Sequence, residues 1–194
     1  MEQIMLKVGN AELECFSHGQ GVAIVLLPGG SLAVGYLSDL ADSLAAAGFR
    51  AVRVNPRGAG GSAGPMDGLT LHDLAGDVSG VIEGLEIAPA FVLGHAFGNR
   101  VARTLAADRP EIVRGVILVA AGGKIDPRPD AQHALMTLFT PTASEAEVLD
   151  AMAWMVGRPE DAASVWERFK GDRAPAAAAS QMAAAQATPL EDWW

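Results

Sequence analysis

Nine residues, Val92-Leu93-Gly94-His95-Ala96-Phe97-Gly98-Asn99-Arg100, constrain this chain more than any other stretch. The apolar run at residues 90–93 that leads in reads as a buried strand, and Val101, Ala102 and Leu105 follow at helical spacing. A strand that becomes a helix within so few residues brings two backbones almost into contact. Glycines at 94 and 98 remove the side chains that would stand between them. Ala96 then sits at the tip of the turn, with a methyl group as its only side chain.

The flanking pattern repeats the same theme. Residues 4–8 and 11–16 read as short strands about a Gly9-Asn10 turn, an antiparallel hairpin. Residues 22–27 form a continuous apolar run rich in β-branched side chains, as in a strand buried on both faces. Leu37, Leu40 and Leu44 predict the apolar stripe of a helix that ends at Gly48. A strand at 51–55 follows, then a glycine-rich loop over 56–65. Thr70 is placed to cap a helix whose Leu71, Leu74, Val78, Val81 and Leu85 share one face. After the central turn and its helix, residues 116–121 read as a further buried strand. Strands alternating with helices predict a mostly parallel α/β sheet with helices on both faces. In such sheets, sites lie beyond the carboxyl ends of the strands. The loops that leave those ends, 28–31, 55–62 and 94–98, are all glycine-rich.

Beyond Gly122-Gly123 the pattern changes to helices alone. Ser144 and Glu147 have capping-box spacing, with Leu149, Met152 and Val156 after them. Ala162, Trp166 and Phe169 make a second stripe. Residues 174–187 are almost all alanine and small polar residues, a helix of high propensity but little packing volume.

Three motifs carry a resemblance to a known family. Gly94-His95-Ala96-Phe97-Gly98 resembles the G-x-S-x-G nucleophile elbow of the α/β-hydrolases, with Ala96 in the nucleophile position. Ile24-Val25-Leu26-Leu27-Pro28-Gly29-Gly30 resembles that family's strand and H-G-x loop, with Pro28 where histidine is common. Val54-Asn55-Pro56-Arg57-Gly58-Ala59-Gly60-Gly61-Ser62 resembles its D-x-R-G-x-G-x-S stretch, with Asn55 for the usual aspartate. The resemblance implies an α/β-hydrolase-like core over residues 1–125 and a helical cap over 126–190. Residues 191–194 would begin the link to a further core segment, so the sheet is expected to be incomplete at its carboxyl end and the chain to be a fragment. It implies oxyanion donors at the Phe97 and Gly30 N–H groups, with Ser31 as the alternative to Gly30. The family's acid and histidine usually follow two further strands. Within this chain Asp126 is the candidate acid and His133 the candidate base. Gly29, Ser31, His95, Met152 and Trp154 are the candidates for contact with substrate.

The implied chemistry is hydrolysis of an ester, epoxide or C–C bond in a small, fairly apolar molecule. A methyl group cannot attack a carbonyl, so Ala96 predicts no normal serine hydrolysis. The alternative function is non-catalytic binding of a small apolar molecule in the capped pocket. A net charge of −9 argues against nucleic acid or an anionic membrane as partner. No apolar run reaches the roughly 18–20 residues of a membrane span, and a cytoplasmic location is the expectation. Phosphate-loop, dinucleotide, zinc-protease and EF-hand patterns are not found, so no cofactor or metal is implied. Cys15, the one cysteine, reads as a small buried hydrophobe. With no neighbour on its outer side, the 116–121 strand would be an apolar edge, which predicts self-association.

Overall fold

The computed structural model describes residues 1–123, 127–140 and 142–189. Strands β1 (Glu2–Val8) and β2 (Ala11–His18) form the expected hairpin, and β2 continues antiparallel onto β4 (Arg50–Val54). From there β4, β3 (Ala23–Leu27), β5 (Ala90–His95) and β6 (Val113–Val119) run parallel. The order across the sheet is β1-β2-β4-β3-β5-β6. The chain thus steps from β3 outward to β4, then crosses back over β3 to reach β5. Because parallel crossovers are right-handed, this reversal puts helices on opposite faces. Helix α1 (Ser38–Ala46) covers one face, against Ile24, Leu26, Ala51 and Leu93. Helices α2 (Leu71–Gly84) and α3 (Gly98–Asp108) cover the other, over Val25, Leu27, Val52 and Val92. The loops after β3 and β5 therefore diverge to opposite faces and open a crevice at the strand ends, where a doubly wound sheet holds its ligands.

The helix signals were sound in kind, with one shift of face. Thr70 and Asp73 complete a capping box at the start of α2, and Leu71, Leu74, Val78 and Val81 are buried. The buried row is Leu37, in the turn that leads into α1, with Ala41 and the partly buried Leu44 on α1 itself; Leu40 is 38% exposed. The sheet selects the i, i+4, i+7 row, and Leu40 stands one residue off it. The strand expected at 116–121 is also shifted: β6 starts earlier, and its end is open. Ile117, Leu118 and Val119 are 39%, 44% and 40% exposed at the edge of the sheet, not buried.

Past the sheet the described residues are helical: α4 (Pro129–Phe139), α5 (Glu145–Met155), α6 (Ala162–Phe169) and α7 (Pro175–Ala187). Ser144 and Glu147 form the expected capping box on α5. Val148, Met152, Ala162 and Trp166 make a small core shared by α5 and α6. The alanine-rich α7 packs by approach of small side chains. It buries Ala177, Gln181 and Ala184 on one row, with Ala177 against Ala59 and Ala174. Its end is tied to α2 by the Leu71 N–H, which donates to Thr188 Oγ1 at 2.8 Å. Among the described residues, no helix is long and apolar enough to cross a membrane.

Candidate functional site

The turn after β5 has the close approach that its glycines predict. A Cβ at Gly94 would stand 2.5 Å from Asn99 Cα, and one at Gly98 would stand 2.6 Å from the Pro28 carbonyl oxygen. Backbone atoms cannot rotate aside, so only glycine fits. Between them Ala96 has φ +45°, in the left-handed region that side chains other than glycine's rarely adopt. Its N–H donates to the Val119 carbonyl at 2.9 Å, and its carbonyl accepts from the Asn99 N–H at 3.2 Å and from the Asn99 side-chain amide. The strained residue is thus pinned from β6 on one side and α3 on the other.

The loop after β3 lies against this turn: a Cβ at Gly30 would be 3.3 Å from Phe97 Cβ. Among the described residues, neither the Gly30 N–H nor the Phe97 N–H has a hydrogen-bond partner. The Ser31 N–H is spent, donating to Gln181 Oε1 at 2.7 Å, which leaves Gly30 as the loop's free donor. Gly30 and Phe97 are both half-buried, and they adjoin the strained tip of the turn.

Side chains far apart in sequence hold the loop. The Gly29 N–H donates to Tyr36 Oη at 2.8 Å, and Tyr36 Oη lies 2.7 Å from His95 Nδ1. This contact sets the orientation of the imidazole. Burial lowers the His95 pKa from its ordinary 6.5 and raises that of Tyr36, which keeps both neutral. Phe169 stacks on Tyr36 at 4.4 Å between ring centres. His95 is therefore a brace for the loop.

A second tie runs through Asn55. Its Oδ1 accepts from the Val34 N–H at 2.8 Å, and its Nδ2 donates to Glu14 Oε2 at 2.6 Å. Gln3 Nε2 and the Gly61 N–H also donate to Glu14. The departure from aspartate at position 55 thus has a physical partner: an aspartate here would face a second carboxylate. Ser62 serves the local backbone, its Oγ donating to the Asn55 carbonyl and accepting from the Glu14 N–H. Arg57 is a brace as well. Its guanidinium grips Asp77 through two bonds of 2.7 and 2.8 Å, both side chains buried.

The helical segment bonds back to this region: its Asp172 carbonyl accepts from the Ala33 N–H at 2.6 Å, and its Ala174 N–H donates to the Ser31 carbonyl at 2.7 Å. The Asp172 carboxylate accepts from the Gly35 N–H at 3.0 Å, and burial raises its pKa. Phe139 of α4 lies directly over Gly30, since a Cβ there would come within 2.5 Å of its Cζ.

Of the sequence candidates, Ala96, Phe97, Gly29, Gly30, Ser31 and His95 come together here. Met152 and Trp154 do not. Met152 packs inside the core between α5 and α6, and Trp154 is 53% exposed. Two positions apart on a helix is about 200° of rotation, so the pair cannot serve one face. His133 is exposed on α4, and its ring has no hydrogen-bond or ring partner among the described residues. Asp126 lies outside the described residues, as do the expected link residues 191–194. Tyr36, Phe139, Asp172 and Gln181 were missed. Each reaches the loop only through tertiary contact, and no local pattern marks them.

A mostly parallel sheet with a strained turn at its reversal point defines a doubly wound α/β scaffold. The alpha/beta hydrolase fold family matches residues 22–150, and the chain belongs to it. Epoxide hydrolase B of Mycobacterium tuberculosis is 35% identical over 100 residues, 50% of this chain and 28% of that protein. Rhodomycin D methylesterase DnrP of Streptomyces peucetius is 31% identical over 134 residues, 64% of this chain and 44% of that protein. The chain thus spans less than half the length of these curated relatives. A hydrolase from Pseudomonas aeruginosa PA01 superposes with a TM-score of 0.78 at 22% identity, over 97% of this chain and 74% of its own; it shares the fold.

Proposed function

We propose that this chain presents a hydrolase-type site for a small, fairly apolar molecule and holds it without serine hydrolysis. The carrying observation is Ala96, at φ +45° in the centre of the turn, where the family's nucleophile stands. In this reading the turn is a nucleophile elbow without its nucleophile. The Gly30 and Phe97 N–H groups are oxyanion-type donors that bind a ligand carbonyl or epoxide oxygen. Phe139 and the rest of α4–α7 act as the cap. Relatives named as an esterase and an epoxide hydrolase support an oxygen-bearing electrophile as the ligand class. With no base placed by the motif, a serine restored at position 96 would remain a poor nucleophile near neutral pH.

The test is covalent labelling. A fluorophosphonate should leave the intact mass of the chain unchanged, and Ala96→Ser should turn over p-nitrophenyl acetate only slowly. Oxyanion binding without a triad leaves roughly 10³–10⁴ over water, far below a complete site. Stoichiometric labelling of Ser31 or Ser62 in the unaltered chain, or efficient turnover by Ala96→Ser, would overturn the proposal.

A further inference from the structure

Ser31, like Ala96, stands in the left-handed region of the backbone: its φ is +55°. A residue with a β-carbon stays there only where its surroundings hold it. What holds Ser31 comes from far along the chain. Its N–H donates to Gln181 Oε1 at 2.7 Å, and its carbonyl accepts from the Ala174 N–H at 2.7 Å. Leu32 then bridges antiparallel to Arg173, and the Ala33 N–H donates to the Asp172 carbonyl. Residues 172–174 thus run alongside 31–33, and Gln181, nearly two turns into α7, reaches back to the same place. Both partners of the Gln181–Ser31 bond are buried, at 3% and 8% exposure.

The consequence reaches Gly30. Successive N–H groups of the loop have different fates. That of Gly29 goes to Tyr36 Oη and that of Ser31 to Gln181, while that of Gly30 has no partner among the described residues. Gly29 and Gly30 have no side chains to anchor them, so the path of the loop past Phe97 is set by what holds its two ends. The left-handed turn at Ser31 is one of those ends. Rotation of Ser31 to an ordinary φ would redirect the chain at its Cα and swing Gly30 relative to Leu32, which the bridge to Arg173 keeps in place. The same segment reaches the roof of the site. The Arg173 guanidinium donates to the carbonyls of Leu138 and Thr140, on either side of Phe139, whose ring lies over Gly30.

From this geometry we propose that Gln181 is a positioning residue of the candidate site: by holding Ser31 in its left-handed turn, it sets the Gly30 N–H beside that of Phe97. The inference rests on these two groups being the ligand donors, as proposed above, and adds that the pair forms only while α7 is seated. Ligand binding at the pair and seating of α7 then favour each other by the same factor.

The bond is tested first in the unaltered chain, labelled with ¹⁵N and ¹³C. A scalar coupling across the hydrogen bond, from the Ser31 nitrogen to Gln181 Cδ, should be seen, and the couplings that report φ should place Ser31 in the left-handed region. Gln181→Met keeps the side-chain length and removes the acceptor, and Ser31 should then leave that region. Adding Ser31→Gly should restore the turn, because glycine takes a positive φ at no steric cost. In the Ala96→Ser background, Gln181→Met should lower kcat for p-nitrophenyl acetate by about 10–100-fold with KM little changed, since a displaced donor is missed mainly in the transition state. Ser31→Gly should recover most of that loss, which a packing role for Gln181 would not allow. Absence of the coupling, or a Ser31 that keeps its φ in Gln181→Met, overturns the positioning role and leaves the donor reading intact. If Gln181→Met fails to fold and Ser31→Gly does not restore folding, Gln181 serves packing, which also overturns it. If Ser31 moves and kcat does not, or Ala96→Ser shows no turnover at all, the donor reading of Gly30 is wrong, and the positioning role falls with it.

Discussion

The turn at Gly94–Gly98 and the loop at Pro28–Ser31 face each other across the same crevice, yet they are held in opposite ways. The turn is set by its own residues. Two glycines let the strand and helix meet, and Asn99, one residue past the second, bonds back to Ala96. The loop is set from outside itself, by Tyr36 seven positions on, with His95 against it, and by Ala174 and Gln181 far along the chain; Asn55 and Asp172 hold the residues that follow, Ala33, Val34 and Gly35. The proposed site, with one N–H from each, therefore has a locally encoded half and a tertiary half. The second half is only as rigid as the helices and loops that brace it.

Changes at the two halves should separate them. The largest effect is expected at the turn. Gly94→Ala drives a methyl into the backbone of Gly98 and Asn99 and should destabilise the chain by about 3–5 kcal/mol in urea denaturation. A loss under about 1 kcal/mol would mean the turn is not locally set. Next comes Asn55→Asp, which keeps the acceptor for Val34 but sets a second carboxylate against Glu14. A loss of about 2–4 kcal/mol is expected near neutral pH. It should shrink in the double variant with Glu14→Gln, and additive effects would argue against the pairing.

Tyr36→Phe removes one hydroxyl that serves both Gly29 and His95, at about 1–3 kcal/mol. Hydrogen exchange sharpens the contrast here. The Ser31 amide should exchange faster in this variant, while the Ala96 amide, bonded to Val119, stays protected. Equal loosening of both would erase the distinction between the halves. The smallest effect is a pH dependence. Burial lowers the His95 pKa below 6.5, so below that pH the unfolded chain binds a proton that the folded chain refuses. The stability of the unaltered chain relative to His95→Gln should therefore fall between about pH 7.5 and about pH 5.5. A rise over that range would show that His95 is stabilised in its charged form.

Much of the architecture was legible because it rests on periodicity. Leu71, Leu74, Val78 and Val81 repeat at helical spacing, and residues 23–27 and 90–93 are apolar throughout, so element type and alternation followed. Errors arose where a neighbour decides. Leu40 and Ala41 are both compatible with an amphipathic α1, and the sheet chose Ala41. Met152 looked like a pocket residue because methionine suits both a pocket and a core, and α6 supplied the core. The exposed end of β6 and the tight seat of α7 depend on which element lies alongside. Neither is written in the residues themselves.

By itself, the sequence determined the strand-to-helix turn, the mostly parallel α/β order and the methyl group at the tip. These follow from short-range sterics and side-chain chemistry, which act between residues a few positions apart. Tertiary structure alone decided which N–H groups stay free, because hydrogen bonds are allotted by whatever groups the fold brings within about 3 Å. It gave the Ser31 N–H to Gln181, 150 positions away in the chain, and left those of Gly30 and Phe97 open.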